Sequence, residues 1–236
     1  MQIERITLEN FLSFYGKQSI QFRGGLNFVV GPGGCGKTNL ARAFGFAVTG
    51  HTDPPTPLNQ LINRRHRKET PTPSCRVEVE INHAGKKWLA QHSLSLVGER
   101  IMPSSAVDPN MDEINFSKKI RQVIIDPERY LDKLEKKYKN CSVSTRWTRV
   151  ISQQLNLNFD AGVKMVILDG VFEFLDNDHR EKILNLIGEL PLEQVTILMK
   201  WLPDNLEIHP CTIHHIKYDF SSDASRIVES RGQEEH

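Results

Sequence analysis

The sequence has few cysteines, no long apolar segment and no excess of either charge. Four cysteines stand at positions 35, 75, 141 and 211, and none forms the Cys-x-x-Cys pair that is typical of zinc sites. No apolar run reaches the ~18–20 residues that a helix needs to cross a bilayer, so we expect no membrane contact. Lys and Arg number 30 against 29 Asp and Glu, so any nucleic-acid contact would need a local basic patch.

Internal repeats and heptad tracts are also missing, and the polar stretch 126–141 is too short for a long coiled coil. Strand and helix patterns alternate instead. Residues 2–9 show the period of a half-buried strand, and 77–81 and 88–94 flank a turn as in a hairpin. Short apolar runs predict buried parallel strands at 26–30, 163–168 and 194–199. We therefore expect a mixed α/β fold, with antiparallel strands on the N-terminal side.

Two stretches show no such period. Residues 51–73 are rich in Pro, Thr, Asn and basic side chains and are predicted to form an exposed excursion. Residues 98–116 are predicted to be irregular. The basic run Arg64–Lys68 has two open interpretations, which are a solvated surface loop and a salt-dependent contact with the DNA backbone.

A glycine-rich loop follows the apolar run 26–30 and precedes a predicted helix. It fits the pattern G-x-x-x-x-G-K-[ST] with Gly31, Pro32, Gly33, Gly34, Cys35, Gly36, Lys37 and Thr38. Glycines let successive backbone N–H groups curl around an anion, and the helix adds its positive end. We expect Lys37 to reach the β- and γ-phosphates of ATP and Thr38 to bind Mg²⁺.

Asp169 ends the apolar run 163–168 and supplies the acidic Mg²⁺ partner that such a loop requires. Cys35 lies within the phosphate loop, where a disulfide would obstruct the ligand. This position predicts a reducing compartment, which would be the cytoplasm, the nucleoid or the nucleus.

The chain resembles the heads of SMC/RecF/SbcC-type ABC ATPases, which act in DNA repair and chromosome organisation. Ile6–Phe14 looks like the family's opening strand and loop, and Gly31–Thr38 followed by Asn39 looks like its nucleotide-binding loop. Ile120-Arg121-Gln122 resembles the Q-loop, which implies that Gln122 lies near Mg²⁺ and the γ-phosphate. Asp169 through Asp176 resembles Walker B and the D-loop, and 196–199 resembles the strand before the switch histidine.

The resemblance implies one ABC-type head over 1–236. Its N-lobe would span 1–125, a short linker 126–141, its C-lobe 142–228 and a polar tail 229–236. The implied partner is a second head, in a homodimer or a heterodimer, with DNA or a nuclease as a further possible partner. ATP and Mg²⁺ are the implied cofactors.

Three parts of the family's hydrolysis machinery are altered in this sequence. Gly170 stands where relatives place the catalytic glutamate, and Glu173 is only a weak replacement candidate. Cys141–Ser144 replaces the Leu-Ser-Gly-Gly signature, and Lys200 replaces the switch histidine. Leu12 also stands where many relatives carry Arg or Lys. We therefore predict a head that holds ATP and hydrolyses it slowly or not at all.

Two other functions stay open at this point. One is an active DNA-dependent ATPase that uses a non-standard base such as Glu173. The other is a P-loop enzyme outside the ABC class, such as a small-molecule kinase or GTPase. Against it, the sequence has no Asn-Lys-x-Asp guanine motif and no arginine-rich lid.

Overall fold

The computed structural model describes residues 1–83, 85–107, 123–125, 130, 140–160, 164–202 and 211–232. Its strands are β1 Gln2–Glu9, β2 Lys17–Gln21, β3 Gly25–Val30, β4 Ser74–His83, β5 Lys86–Val97, β6 Arg100–Val107, β7 Ile124–Ile125, β8 Met165–Asp169, β9 Gln194–Met199, β10 Cys211–Asp219 and β11 Ala224–Gly232. Its α-helices are α1 Lys37–Thr49, α2 Leu58–Leu61, α3 Arg64–Glu69, α4 Val143–Asp160 and α5 Asn177–Glu189. A 3₁₀ turn covers Val171–Phe174.

The strands form two sheets. One is antiparallel, in the order β2-β1-β4-β5-β6, and the other has the order β11-β10-β3-β9-β8-β7. In the second sheet β10, β3, β9, β8 and β7 run parallel, while β11 is antiparallel to β10. The predicted mixed α/β fold with an antiparallel lobe on the N-terminal side is confirmed.

Helix α1 lies between the two sheets. Its buried face carries Leu40, Ala43, Phe44 and Ala47, which pack in one apolar cluster with strands of the antiparallel sheet and with Val29 of β3. The neighbouring β3 residues Phe28 and Val30 point to the opposite face, into a second cluster with α4 and α5. This alternation explains why β3 reads as an almost continuous apolar run, because both of its faces are covered.

One polar residue interrupts that run, and its hydrogen bonds explain why it is tolerated. Asn27 is fully buried. Its side-chain oxygen accepts from Arg23 N at 3.1 Å, and its amide donates to Arg23 O at 2.8 Å and Gly25 O at 3.3 Å. A buried amide paired in this way stabilises the turn before β3, whereas an unpaired one would cost stability.

Three local predictions were wrong. Residues 100–107, expected to be irregular, form the edge strand β6. The expected excursion 51–73 contains α2 and α3 and buries Leu61 and Ile62. Residues 229–232, assigned to the polar tail, continue β11 and pair with β10. The proposed division into lobes and linker stays a prediction.

Among the described residues, no helix is both long enough and apolar enough to span a bilayer. The four cysteines all lie in the described ranges and are free thiols.

Candidate functional site

The glycine-rich loop leaves the carboxyl end of β3 in the middle of the parallel sheet. Gly31 N donates to Met199 O at 3.2 Å, which ties the start of the loop to the end of β9. A Cβ added at Gly31 would lie 2.2 Å from Ile216 O, so only glycine fits. At Gly36 the backbone has φ +106, and a Cβ would lie 2.5 Å from Ser225 Oγ. The packing of the cradle therefore requires glycine at Gly31 and Gly36, whereas a Cβ at Gly34 would meet no atom within 4 Å.

Lys37 begins α1 and is 8% exposed. Its ammonium donates to Gly31 O at 2.6 Å and to Pro32 O at 3.0 Å, so it lies across the mouth of the loop. Cys35 is buried beside it, and this burial raises the pKa of the Cys35 thiol above its ordinary value. The Lys37 ammonium thus places a positive charge at the phosphate loop.

Thr38 and Asp169 come together although they are 131 residues apart. Thr38 Oγ donates to Asp169 Oδ1 at 3.2 Å. Asp169 is buried at the end of its strand, whereas Thr38 is exposed and lines a cavity. Asp169 ends β8, which lies one strand away from β3 across β9. The structure therefore brings a hydroxyl and a carboxylate side by side at the end of the phosphate loop.

These residues line a cavity of about 450 Å³. Its walls include residues that the sequence had singled out, namely Gly33, Gly34, Gly36, Lys37, Thr38, Asn39 and Asp169. They also include residues that the sequence motifs did not indicate, namely Asp53, Pro54, Ile124, Phe174 and, from the base of α1, Ala41 and Arg42. Asp53 and Pro54 lie in the stretch 51–73, which carries no periodic signal, so only the folded chain brings them here.

The side-chain amide of Asn39 is hydrogen-bonded to a residue outside the phosphate loop. Its Nδ2 donates to Ser13 Oγ at 2.8 Å. Ser13 belongs to the loop after β1, and its carbonyl accepts from Ser225 N at 2.8 Å. Ser13 and Ser225 both pack against Gly36. The loop after β1 and strand β11 therefore support the phosphate cradle. No local sequence pattern predicted this role.

The position of the missing glutamate is structurally unusual. Gly170 has φ +69, in the left-handed region, and a Cβ there would meet no atom within 4 Å. Space is therefore available, but an L side chain would be strained. Three residues later, Glu173 lies in the 3₁₀ turn and lines the same cavity.

Lys200, at the switch-histidine position, lies on the rim of this cavity. Its ammonium is 3.1 Å from Glu173 Oε2. The adjoining side chain, Trp201, is 73% exposed.

The altered signature segment starts α4 and contacts the D-loop. Ser142 Oγ accepts from Thr145 N at 3.2 Å, as a helix cap does. Ser144 Oγ donates to Phe174 O at 3.3 Å and accepts from Asp176 N at 3.2 Å. Asp176 caps α5, and its hydrogen bonds from His179 lower the pKa of its carboxyl to about 2. Ser144 therefore holds the start of α4 against the D-loop, and Ser142 caps the helix.

Gln122 and the other residues of the predicted Q-loop fall outside the described residues, so its metal role stays a prediction. The basic run forms α3, where Asn63 caps the helix by accepting from Arg65 N and His66 N. Arg65 lies over the Tyr15 ring at 4.6 Å, pairs with Glu69 and donates to Ser222 O. The run therefore forms a helix and not a loop, and Arg65 is engaged in contacts within the protein.

The site fits a nucleoside triphosphate with Mg²⁺. The cradle has no room for a Cβ at Gly31 or Gly36, and Lys37 supplies a positive charge at its mouth. No group of three or more His, Cys, Asp or Glu side chains that would form a metal site of its own occurs in the described part of the chain. One carboxylate and one hydroxyl are instead what Mg²⁺ uses when phosphates complete its shell.

Comparison with known proteins agrees with this geometry. The model of the AAA domain family matches residues 5–201. No curated protein matches the chain by sequence. Among solved structures, the SMC head domain from Thermotoga maritima is 16% identical with a TM-score of 0.68, covering 97% of this chain and 98% of that one.

Two further structures are similar. An SMC head bound to the C-terminal domain of ScpA, derived from Pyrococcus furiosus, is 12% identical with a TM-score of 0.61, covering 98% and 96% of the two chains. The recombination mediator RecF with ATPrS is 11% identical with a TM-score of 0.53, covering 97% and 98%. The chain belongs to the AAA domain family and has the P-loop nucleotide-binding fold of SMC/RecF-type ABC ATPase heads.

Proposed function

We propose that this protein is an ATP-binding SMC/RecF-like head that acts in DNA repair or chromosome maintenance and turns ATP over slowly or not at all. The observation that carries the proposal is the hydrogen bond of Thr38 to Asp169 beside the glycine cradle. It joins the two parts that a magnesium–triphosphate site requires from distant positions in the sequence.

Different residues of the chain would bind the phosphates and the Mg²⁺. The backbone N–H groups of 31–38 and the start of α1 would surround the phosphates, and Lys37 would neutralise part of their charge. Thr38 and Asp169 would hold Mg²⁺, directly or through water, with Gln122 as a further ligand. Bound Mg²⁺ supplies charge neutralisation and orientation of the phosphate oxygens.

Slow turnover follows from what stands beyond Asp169. Gly170 has no side chain to orient water or accept its proton, and a positioned base is typically worth about 10²–10⁴-fold in rate. Glu173 stands three residues further along, in the 3₁₀ turn, and does not occupy the glutamate position. ATP would therefore stay bound without being hydrolysed, and two heads joined by it would form a long-lived clamp.

Association with a second head is part of the proposal. Two exposed aromatic side chains support this, since Phe174 lines the cavity and Trp201 directly follows the cavity-lining Lys200 in the chain. Val143, 54% exposed, starts α4 where relatives carry a signature glycine. The partner would be a second copy or another ABC-type head, which would supply an intact signature. DNA or a nuclease would be a further partner of the assembly, in a reducing compartment.

Calorimetry with Mg-ATP tests the binding claim. The wild-type chain is expected to bind one nucleotide, and Lys37→Ala is expected to remove measurable binding. Lys182→Ala, on the exposed side of α5, is the matched control and should bind like the wild type. Equal binding by Lys37→Ala and the wild type would refute the proposed site.

One alternative function has an observation in its favour. Glu173 lines the cavity, so an active ATPase that uses it as base is the second candidate. Steady-state hydrolysis with and without DNA separates the two. Turnover comparable to that of an intact relative, lost in both Lys37→Ala and Glu173→Gln, would favour the active enzyme.

A further inference from the structure

Lys200 and Glu173 form an ion pair on the rim of the phosphate cavity. The Lys200 ammonium and Glu173 Oε2 are 3.1 Å apart, and their side chains are 45% and 28% exposed. Both residues line the cavity that also contains Lys37, Thr38 and Asp169. The pair is therefore accessible and stands where a nucleotide would enter.

The backbone fixes Lys200 next to the phosphate loop. It directly follows β9, whose last residue accepts the hydrogen bond from Gly31 N. A Cβ at Gly33 would lie 3.5 Å from Lys200 Cε, which means that the lysine side chain passes over the loop. Lys200 can thus approach a bound phosphate without any movement of the sheet.

Glu173 is held on the opposite side by the 3₁₀ turn. Its N–H donates to Gly170 O at 3.2 Å, and Gly170 N donates to Leu198 O at 3.0 Å. The turn is therefore attached to β9, the same strand that precedes Lys200. The two side chains rise from the ends of the neighbouring strands β8 and β9.

The charges make the two residues opposite in their effect on a phosphate. An ammonium attracts the terminal phosphate of ATP, whereas a carboxylate repels it and also competes for the ammonium. We propose that Lys200 is a second ammonium ligand of the γ-phosphate, and that Glu173 competes with this phosphate for Lys200, so that the pair sets the preference for ATP over ADP. This inference rests on the proposed nucleotide-binding function.

The proposal assigns a specificity role to both residues. ADP lacks the γ-phosphate and would leave Lys200 with Glu173. Its affinity should therefore hardly depend on either side chain. A surface ion pair without a ligand role would leave the affinities for both nucleotides unchanged, and a Glu173 that acts only as a base would affect turnover and not affinity.

The test is calorimetric titration with Mg-ADP and with a non-hydrolysable ATP analogue. The variants are Lys200→Gln, Glu173→Gln and the double variant, with Lys182→Gln as the control for loss of a lysine elsewhere. Non-hydrolysable nucleotide removes turnover from the readout. Thermal melting without nucleotide verifies that each variant is folded.

We expect Lys200→Gln to weaken the ATP analogue about tenfold, the order of one charge-assisted hydrogen bond discounted for exposure, and to change ADP affinity less than about twofold. Glu173→Gln should tighten the analogue about threefold. In the Lys200→Gln background the same change should tighten the analogue less than about 1.5-fold, because only the direct repulsion between carboxylate and phosphate remains.

Three results would overturn the inference. They are no change in either affinity in Lys200→Gln, an equal loss of affinity for both nucleotides in Lys200→Gln, and tightening by Glu173→Gln that is undiminished without Lys200. If Lys37→Ala abolishes binding while Lys200→Gln leaves the ratio unchanged, only this inference fails. If Lys37→Ala has no effect either, the proposed function fails with it.

Discussion

Gly36 is the residue on which the shape of the phosphate cradle most depends. Its φ of +106 is open to glycine, and a Cβ would meet Ser225 Oγ at 2.5 Å and Ser13 Oγ at 2.8 Å. We predict that Gly36→Ala lowers the free energy of unfolding by about 1–3 kcal/mol and removes Mg-ATP binding. Urea denaturation and calorimetry measure the two effects.

The matched control is Gly188→Ala, near the end of α5, where a Cβ meets no atom within 4 Å. This change should raise the free energy of unfolding by up to about 1 kcal/mol, because alanine favours the helix. Wild-type nucleotide binding by Gly36→Ala would contradict the account of the cradle.

His214 links stability to pH. It lies fully buried in β10, and burial, with a smaller contribution from His215, lowers the pKa of its imidazole from 6.5 to about 4. The folded state therefore holds it neutral, while the unfolded chain takes up a proton as the pH falls below 6.5. Its contribution to stability is present above that pH and is lost between about 6.5 and 4.

We predict that the wild type loses about 2 kcal/mol more of its free energy of unfolding between pH 7 and pH 5 than His214→Leu does. Urea denaturation of both proteins at the two pH values gives this difference, in which the titration of all other groups cancels. Parallel pH profiles would show that His214 does not titrate as described.

At the same scale, the sequence was sufficient to single out Lys37, Thr38 and Asp169 as candidate site residues, because a motif of fixed spacing and a strand-ending aspartate mark them. It was not sufficient for the pairing of Glu173 with Lys200, which depends on the turn after Gly170 and on β8 and β9 being neighbours. Ser13 and Ser225 have no local signal at all, since their role is to contact a glycine from a different segment.

Among the elements, β9 is one of those that connect the two sheets through hydrogen bonds. Gln194 at its start is fully buried, accepts from Ile3 N at 2.8 Å, and donates to Ile3 O and to Arg23 O at 2.9 Å. We predict that Gln194→Leu lowers the free energy of unfolding by about 2–4 kcal/mol, since it leaves buried backbone groups without their partner. Chemical denaturation measures it.

Gln153→Leu, at an exposed position of α4, is the control and should change stability by no more than about 0.5 kcal/mol. Equal effects of the two substitutions would contradict the role assigned to Gln194.

Strong periodicity explains which elements were predictable. The alternation in β1 and β4, the apolar runs of β3, β8 and β9, and the buried face of α1 were all visible in the sequence. β6 was missed because Met102, Pro103 and the two serines after it have neither strand propensity nor an apolar face, and this edge strand exists through its pairing with β5. α3 was missed because its only clear signal is the cap residue Asn63.

For the whole molecule, the fold class followed from the order of patterns, but the strand order did not. β3 lies between β9 and β10, both more than 160 residues later in the chain, and no local pattern encodes that pairing. The resemblance to SMC/RecF-type heads supplied what periodicity lacked, and the family match over 5–201 agrees with it.

The proposed association with a second head concerns the whole molecule. Trp201, 73% exposed next to the cavity, should contribute to the surface that meets a second head. We predict that Trp201→Ala keeps nucleotide binding within about twofold but weakens Mg-ATP-dependent association at least about tenfold, as loss of an exposed aromatic anchor does. Sedimentation velocity, alone and with candidate heads, measures this.

Phe220→Ala is the control, because Phe220 is 89% exposed in the β10–β11 turn and does not line the cavity. It should associate like the wild type. Equal association of Trp201→Ala and the wild type would remove Trp201 from the interface, and no nucleotide-dependent association with any head would count against the clamp.

The most direct test of the central claim is the identity of the nucleotide that the protein holds. Radiolabelled Mg-ATP is incubated with the wild type and with Lys37→Ala, the bound fraction is collected on a filter, and its nucleotide is separated by chromatography. The account predicts about one equivalent of label per wild-type chain, recovered mainly as ATP, and background label with Lys37→Ala. Wild-type binding at background level, or bound label recovered mainly as ADP, would contradict it.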